Sequence, residues 1–94
     1  MNETYINIPT IFEIRIREFG WIHDVYLEVD GVRFPAEWVG YVRYTNKNRY
    51  SIFRVLHTFK NFTQNKKATF HYFVGGTEHV CEPLVFNVYP LYDD

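Results

Sequence analysis

The chain has 94 residues, 47% of them apolar and 22% charged, with a net charge of −1. That size suits one hydrophobic core, so residues 1–94 read as a single domain, and the composition excludes intrinsic disorder. No apolar run approaches the ~18 residues needed to span a bilayer, so no membrane association is expected.

Cys81 is the only cysteine, so an internal disulfide is excluded. The opening Met1-Asn2-Glu3-Thr4 has neither the basic nor the apolar segment of a secretion leader, and a reducing, cytoplasmic setting is expected. Asn2-Glu3-Thr4 and Asn61-Phe62-Thr63 match a glycosylation triplet, a pattern short enough to arise by chance.

In chain order, residues 11–19 alternate Phe12, Ile14 and Ile16 with Glu13, Arg15 and Arg17, the period of a half-buried strand that Gly20 ends. Residues 25–34 form the clearest local signal. Asp30-Gly31 suits a two-residue turn with positive φ at both positions. That turn pairs Val29 with Val32 and Leu27 with Phe34, and sets Glu28 opposite Arg33 as a cross-strand charge pair.

Residues 38–44 and 49–59 flank the polar connection Thr45-Asn46-Lys47-Asn48 and read as a second hairpin. A helix near 51–62 is the competing reading, because Ile52, Val55, Leu56, Phe59 and Phe62 share one side of a helical wheel. The β-branched and aromatic content of the stretch favours the strand. Residues 68–74, 77–81 and 84–89 complete the chain as short strands separated by Gly75-Gly76 and Pro83. Seven or eight such strands predict a mostly β fold, a small antiparallel β-sandwich, with an immunoglobulin-like arrangement as its finer form and α+β as the alternative.

Charge is divided along the chain. Arg43, Lys47, Arg49, Arg54, Lys60, Lys66 and Lys67 lie between Glu37 and Glu78 with no carboxylate among them. The remainder carries eleven acids against three bases, so the near-neutral total conceals +7 and −8. A split of this kind either builds a one-sided field for an anionic partner or is neutralised when the two parts interleave in a sheet.

Aromatic residues make up 20% of the chain, more than a small core needs, and Trp38, Tyr41, Tyr44, Tyr50 and Tyr72 fall within the acid-free segment. Aromatics beside cations are what protein interfaces use as anchors, and they are also what stacks on single-stranded nucleic acid. Most of the Phe residues are expected in the core.

Catalysis finds little support, since no phosphate loop, nucleophile elbow or cysteine with a base at fixed spacing is present, and no cofactor is implied. His23 and Asp24, as neighbours on a strand, should point to opposite faces. Glu13 with Glu18, or Glu28 with Asp24, are the carboxylates that approach as pairs if any do; solvation explains them more simply. His71, His79 and Cys81 are the one conceivable metal set. A two-residue Gly75-Gly76 turn puts His79 and Cys81 on one face and His71 on the other, a three-residue Gly75-Gly76-Thr77 turn brings all three onto one face, and a fourth ligand is missing in either case.

The expectation is therefore a non-catalytic binding protein, an adaptor or inhibitor of the kind small viral or phage genes encode. It would use Trp38, Arg43, Tyr44, Lys47, Arg49 and Tyr50, clustered around the polar turn, against an acidic protein surface. The alternatives are single-stranded nucleic-acid binding by the same face and carbohydrate binding with Trp21 and Trp38 as stacking platforms. Opposite charges and open strand edges also predict a homodimer.

Overall fold

A computed structural model describes residues 3–44 and 48–91. Within them there is no helix, and nine strands run β1 (Glu3–Tyr5), β2 (Thr10–Arg17), β3 (Ile22–Val29), β4 (Val32–Pro35), β5 (Glu37–Arg43), β6 (Arg49–His57), β7 (Thr63–Val74), β8 (Thr77–Val80) and β9 (Leu84–Tyr89). They form two packed sheets, as the alternating sequence predicts. The larger has the order β1-β9-β7-β3-β4 with β8 paired to β7, and the smaller has the order β2-β6-β5. Neither order is the ABED and CFG arrangement of an immunoglobulin domain, so the finer expectation gains no support.

Residues 49–57 are strand, which settles the helical alternative. Val55 is buried and Leu56 exposed, an alternation that a helix sharing both on one side would not give. The β3–β4 hairpin has the expected register, Leu27 opposite Phe34, Glu28 opposite Arg33 and Val29 opposite Val32. Asp30 and Gly31 both take positive φ, 53° and 76°, the geometry that matches the twist of the flanking strands. The charge pair predicted across this hairpin does not form. Arg33 lies over the ring of Tyr26 at 4.8 Å, and Glu28 bonds His71 at 3.0 Å.

Inward positions of both sheets build one core of Phe12, Leu27, Val29, Val55, Phe59, Ala68, Phe70, Phe86 and Val88. Phe12 sits at its centre, with the ring of Phe86 at 5.6 Å and that of Phe59 at 6.3 Å in an edge contact. The molecule is long, 51 × 28 × 18 Å, and its radius of gyration is 15.0 Å, against about 12 Å for a compact domain of this length. The inner face of β5 lies beyond the cover of the larger sheet, and its large side chains stay half-exposed.

Candidate functional site

A candidate surface is built where β2, β5 and β6 run past the core. Alternation along β2 places Thr10, Phe12, Ile14 and Ile16 inward, opposite His57, Val55, Phe53 and Ser51 of β6. Glu18 continues that inward series just beyond the strand, so a carboxylate arrives beside Ser51 where an apolar side chain would otherwise sit. The Glu18 backbone N–H donates to the Arg49 carbonyl at 2.9 Å, which holds it there.

A bulge in β5 completes the site. Trp38 pairs with Phe53 and Gly40 with Ile52, leaving Val39 as the extra residue. Gly40 has φ of 150°, a conformation that side chains disfavour. Without the bulge, Trp38 and Tyr41, three residues apart, would face opposite ways. With it, both join Arg43 on the inner face.

The side chains then close a ring. The Trp38 indole N–H donates to Ser51 Oγ at 3.3 Å, and Ser51 donates to Glu18 Oε2 at 3.0 Å. The guanidinium of Arg49 meets both carboxylate oxygens of Glu18, at 3.1 and 3.3 Å. It also lies 4.2 Å over the Tyr41 ring, whose edge contact with Trp38 at 4.9 Å returns to the start. A bidentate guanidinium stacked on an aromatic holds its geometry better than an isolated surface ion pair. The ring borders an open hollow of about 340 Å³ lined by Glu18, Ile22, Trp38, Tyr41, Ser51 and Phe53. Trp38 is 49% and Tyr41 51% exposed at its mouth.

The residues expected to act together are thus divided between two faces. Trp38, Arg43 and Arg49 share the inner face. Tyr44 and Tyr50, in edge contact at 5.1 Å, lie on the outer one, where Tyr44 also bonds Arg15. Lys47, with Thr45 and Asn46, falls outside the described residues. The sequence reading considered Glu18 only as a carboxylate partner of Glu13 and missed Ser51; Ser51 is a polar group at an inward position of β6, and Glu18 continues the inward series just beyond β2.

The acid-free segment does not form one basic face. Arg49 pairs with Glu18, Arg54 with Glu13 at 3.1 Å, and Lys66 with Asp30. Arg54 and Arg15 together hold the Glu13 carboxyl below its usual range, the hydrogen bond from Arg54 counting most. Lys60, Lys66 and Lys67 lie past the His57 end of β6, and Arg43 and Arg49 lie at the other. Eight residue steps of strand separate the two ends by about 26 Å.

Of the conceivable catalytic pairs, Glu13 and Glu18 each bond an arginine, and Asp24 and Glu28 each bond a histidine. His71 and His79 point to opposite faces, since Val74 pairs directly with Thr77 around a two-residue turn. Among the described residues no three potential ligands gather around a metal position. Cys81 packs against the core, and burial pushes its thiol pKa up, away from reactivity. No helix of the described residues is long and apolar enough to cross a membrane.

His23 and Asp24 depart from the strand rule. Asp24 has φ of 50° within a bulge between His23 and Tyr26, which turns its carboxylate onto His23 Nδ1 at 2.6 Å. The other ring nitrogen bonds the Gly75 carbonyl, and the ring lies between Trp21 at 4.1 Å and Phe73 at 5.3 Å. Both partners are acceptors, so both nitrogens must donate, and His23 is favoured as imidazolium. Its pKa is raised, first by the Gly75 carbonyl and then by Asp24. A raised folded-state pKa gives stability that is fully present below about pH 6.5 and is lost as pH rises through the folded value. An NMR titration of the His23 ring should show a midpoint above about 6.5. A midpoint at or below that value would remove the imidazolium.

No family model, curated protein or solved structure matches this chain at a significant level.

Proposed function

We propose that this chain is a non-catalytic binding protein, an adaptor or inhibitor, that engages an acidic surface of another protein through the inner face of β5 and β6. The ring from Trp38 through Ser51, Glu18 and Arg49 to Tyr41 carries this reading. It fixes two half-exposed aromatics and a guanidinium in one arrangement, and aromatics with arginine at a preorganised centre are what dominate binding energy at protein interfaces. Arg43 stands on the same face with no carboxylate partner among the described residues, which gives the surface its preference for acids.

Capture from the native source tests the proposal. A partner should be retained by the unaltered chain and by a Lys60→Ala/Lys67→Ala variant, and lost from Trp38→Ala/Arg49→Ala. Equal retention by all three would place the binding surface elsewhere.

Single-stranded nucleic acid fits less well, because cations at opposite ends of β6 do not line one track. Carbohydrate binding draws on a specific observation, the exposure of Trp21 (72%) together with that of Trp38. One face of Trp21 is taken by His23, leaving the other for a sugar. Indole emission that stays unchanged across a panel of oligosaccharides would dismiss it.

A further inference from the structure

We propose that β5 is the contact by which two copies of this chain join, edge to edge and antiparallel, about a two-fold axis passing beside Tyr41. Strand edges expose unpaired N–H and C=O groups, and natural sheets blunt them with charge, proline, bulges or shortness. The other edges here are blunted. β1 has 3 residues, β4 has 4 with Arg33 and Pro35, and β8 has 4 with Glu78. β2 is longer, but Glu13, Arg15 and Arg17 recur along it at every second position.

β5 has 7 residues and no charge between Trp38 and Val42, and its one irregularity is the bulge at Val39, beyond which Gly40 to Arg43 pair regularly with β6. Its only strand neighbour among the described residues is β6, and Val39 and Tyr41 are exposed along it.

A second copy, rather than an unrelated peptide, follows from the residues along that edge. β5 begins with Glu37 on the outer face and ends with Arg43 on the inner one, so antiparallel self-pairing sets no like charges against each other. The bulge at Val39 fixes which residues share a face. With the axis beside Tyr41, that residue meets its own copy, and Arg43 meets Trp38 of the second copy. Gly40 lies beside Val42 of the second copy, and Glu37 beside its Tyr44. Arg43 thereby gains an indole face and Trp38 a cation, at both ends of the joint. Gly40 carries no side chain, and the space where a Cβ would stand is empty, so the second backbone can approach. The product is a continuous six-stranded sheet, β2-β6-β5 followed by its copy. Both aromatic rings then lie on one side of it.

The test needs no other molecule, so its outcome is separate from that of partner binding. Sedimentation of the unaltered chain should show a monomer–dimer equilibrium, and Val39→Lys should raise the dissociation constant at least ~10-fold, with a thermal midpoint equal to that of the unaltered chain when both are diluted to monomer. In a Cys81→Ala background, Tyr41→Cys should cross-link to dimer on mild oxidation faster than Val39→Cys or Arg43→Cys, because only the residue on the axis faces itself. Should a variant fail to fold, amide exchange in β5 of the unaltered chain should still slow as concentration rises. A chain that stays monomeric at high micromolar concentration, a dimer indifferent to Val39→Lys, or equal cross-linking at all three positions would overturn the proposal.

Discussion

Replacing Phe12 by alanine should cost about 3–5 kcal/mol of folding stability, the usual range for deleting a buried aromatic. Phe12 is 1% exposed, and its ring joins those of Phe59 and Phe86 where the two sheets meet. A domain of this size holds on the order of 5–15 kcal/mol in total, so the variant should stand close to unfolding at room temperature. Ile11, the preceding residue, is 53% exposed on the other face of β2, and Ile11→Ala should cost under about 0.5 kcal/mol. Urea denaturation of the two variants reads the difference directly. Similar losses would mean that β2 does not pack by the observed alternation.

The second large effect falls on binding. Trp38→Ala removes the indole that caps the hollow and frees the Ser51 hydroxyl. Arg49→Ala removes the guanidinium and leaves Glu18 facing the partner as an unpaired negative charge. Each change should weaken the partner by about 10- to 100-fold, the range of a central interface anchor. Neither should greatly alter folding, because both residues are exposed and lie beyond the core. Tyr44→Ala, on the outer face, should have little effect on the same partner.

Much of the fold could be read locally. Asp30-Gly31 fixes the β3–β4 register, because a two-residue turn with those residues permits one pairing. The β-branched and aromatic side chains of residues 49–57 outweigh a helical periodicity that would have buried Leu56. What escaped depends on distant partners. β1 is three residues long and pairs in parallel with β9, almost the whole chain away, and nothing in Glu-Thr-Tyr announces that contact. β7 begins at Thr63, five residues before the sequence suggests. Gln64-Asn65-Lys66-Lys67 has no apolar alternation and is held as strand by β9 around a bulge.

The site was legible in residue types and hidden in geometry. Trp38, Arg43 and Arg49 stand out as aromatic and basic residues, and they do share a face. Tyr44 and Tyr50 stand out equally but belong to the other face, since side chains alternate and the bulge at Val39 shifts the series before it. Glu18 could be placed beside Arg49 only once the β2–β6 register was known. The bulge at Asp24 likewise defeats the rule that neighbours on a strand point apart. The division of charge was visible as a count, yet three of its seven cations turn out to be neutralised by carboxylates from the rest of the chain.

Calorimetric titration of the captured partner, with variants that each remove one positive charge, tests the central claim most directly. Arg49→Ala at the aromatic ring should weaken binding at least ~10-fold, and Lys67→Ala at the far end of β6 should leave it within about 2-fold. Equal losses from the two would mean that net charge, and not the surface formed by Trp38, Tyr41 and Arg49, governs binding, and would contradict the account.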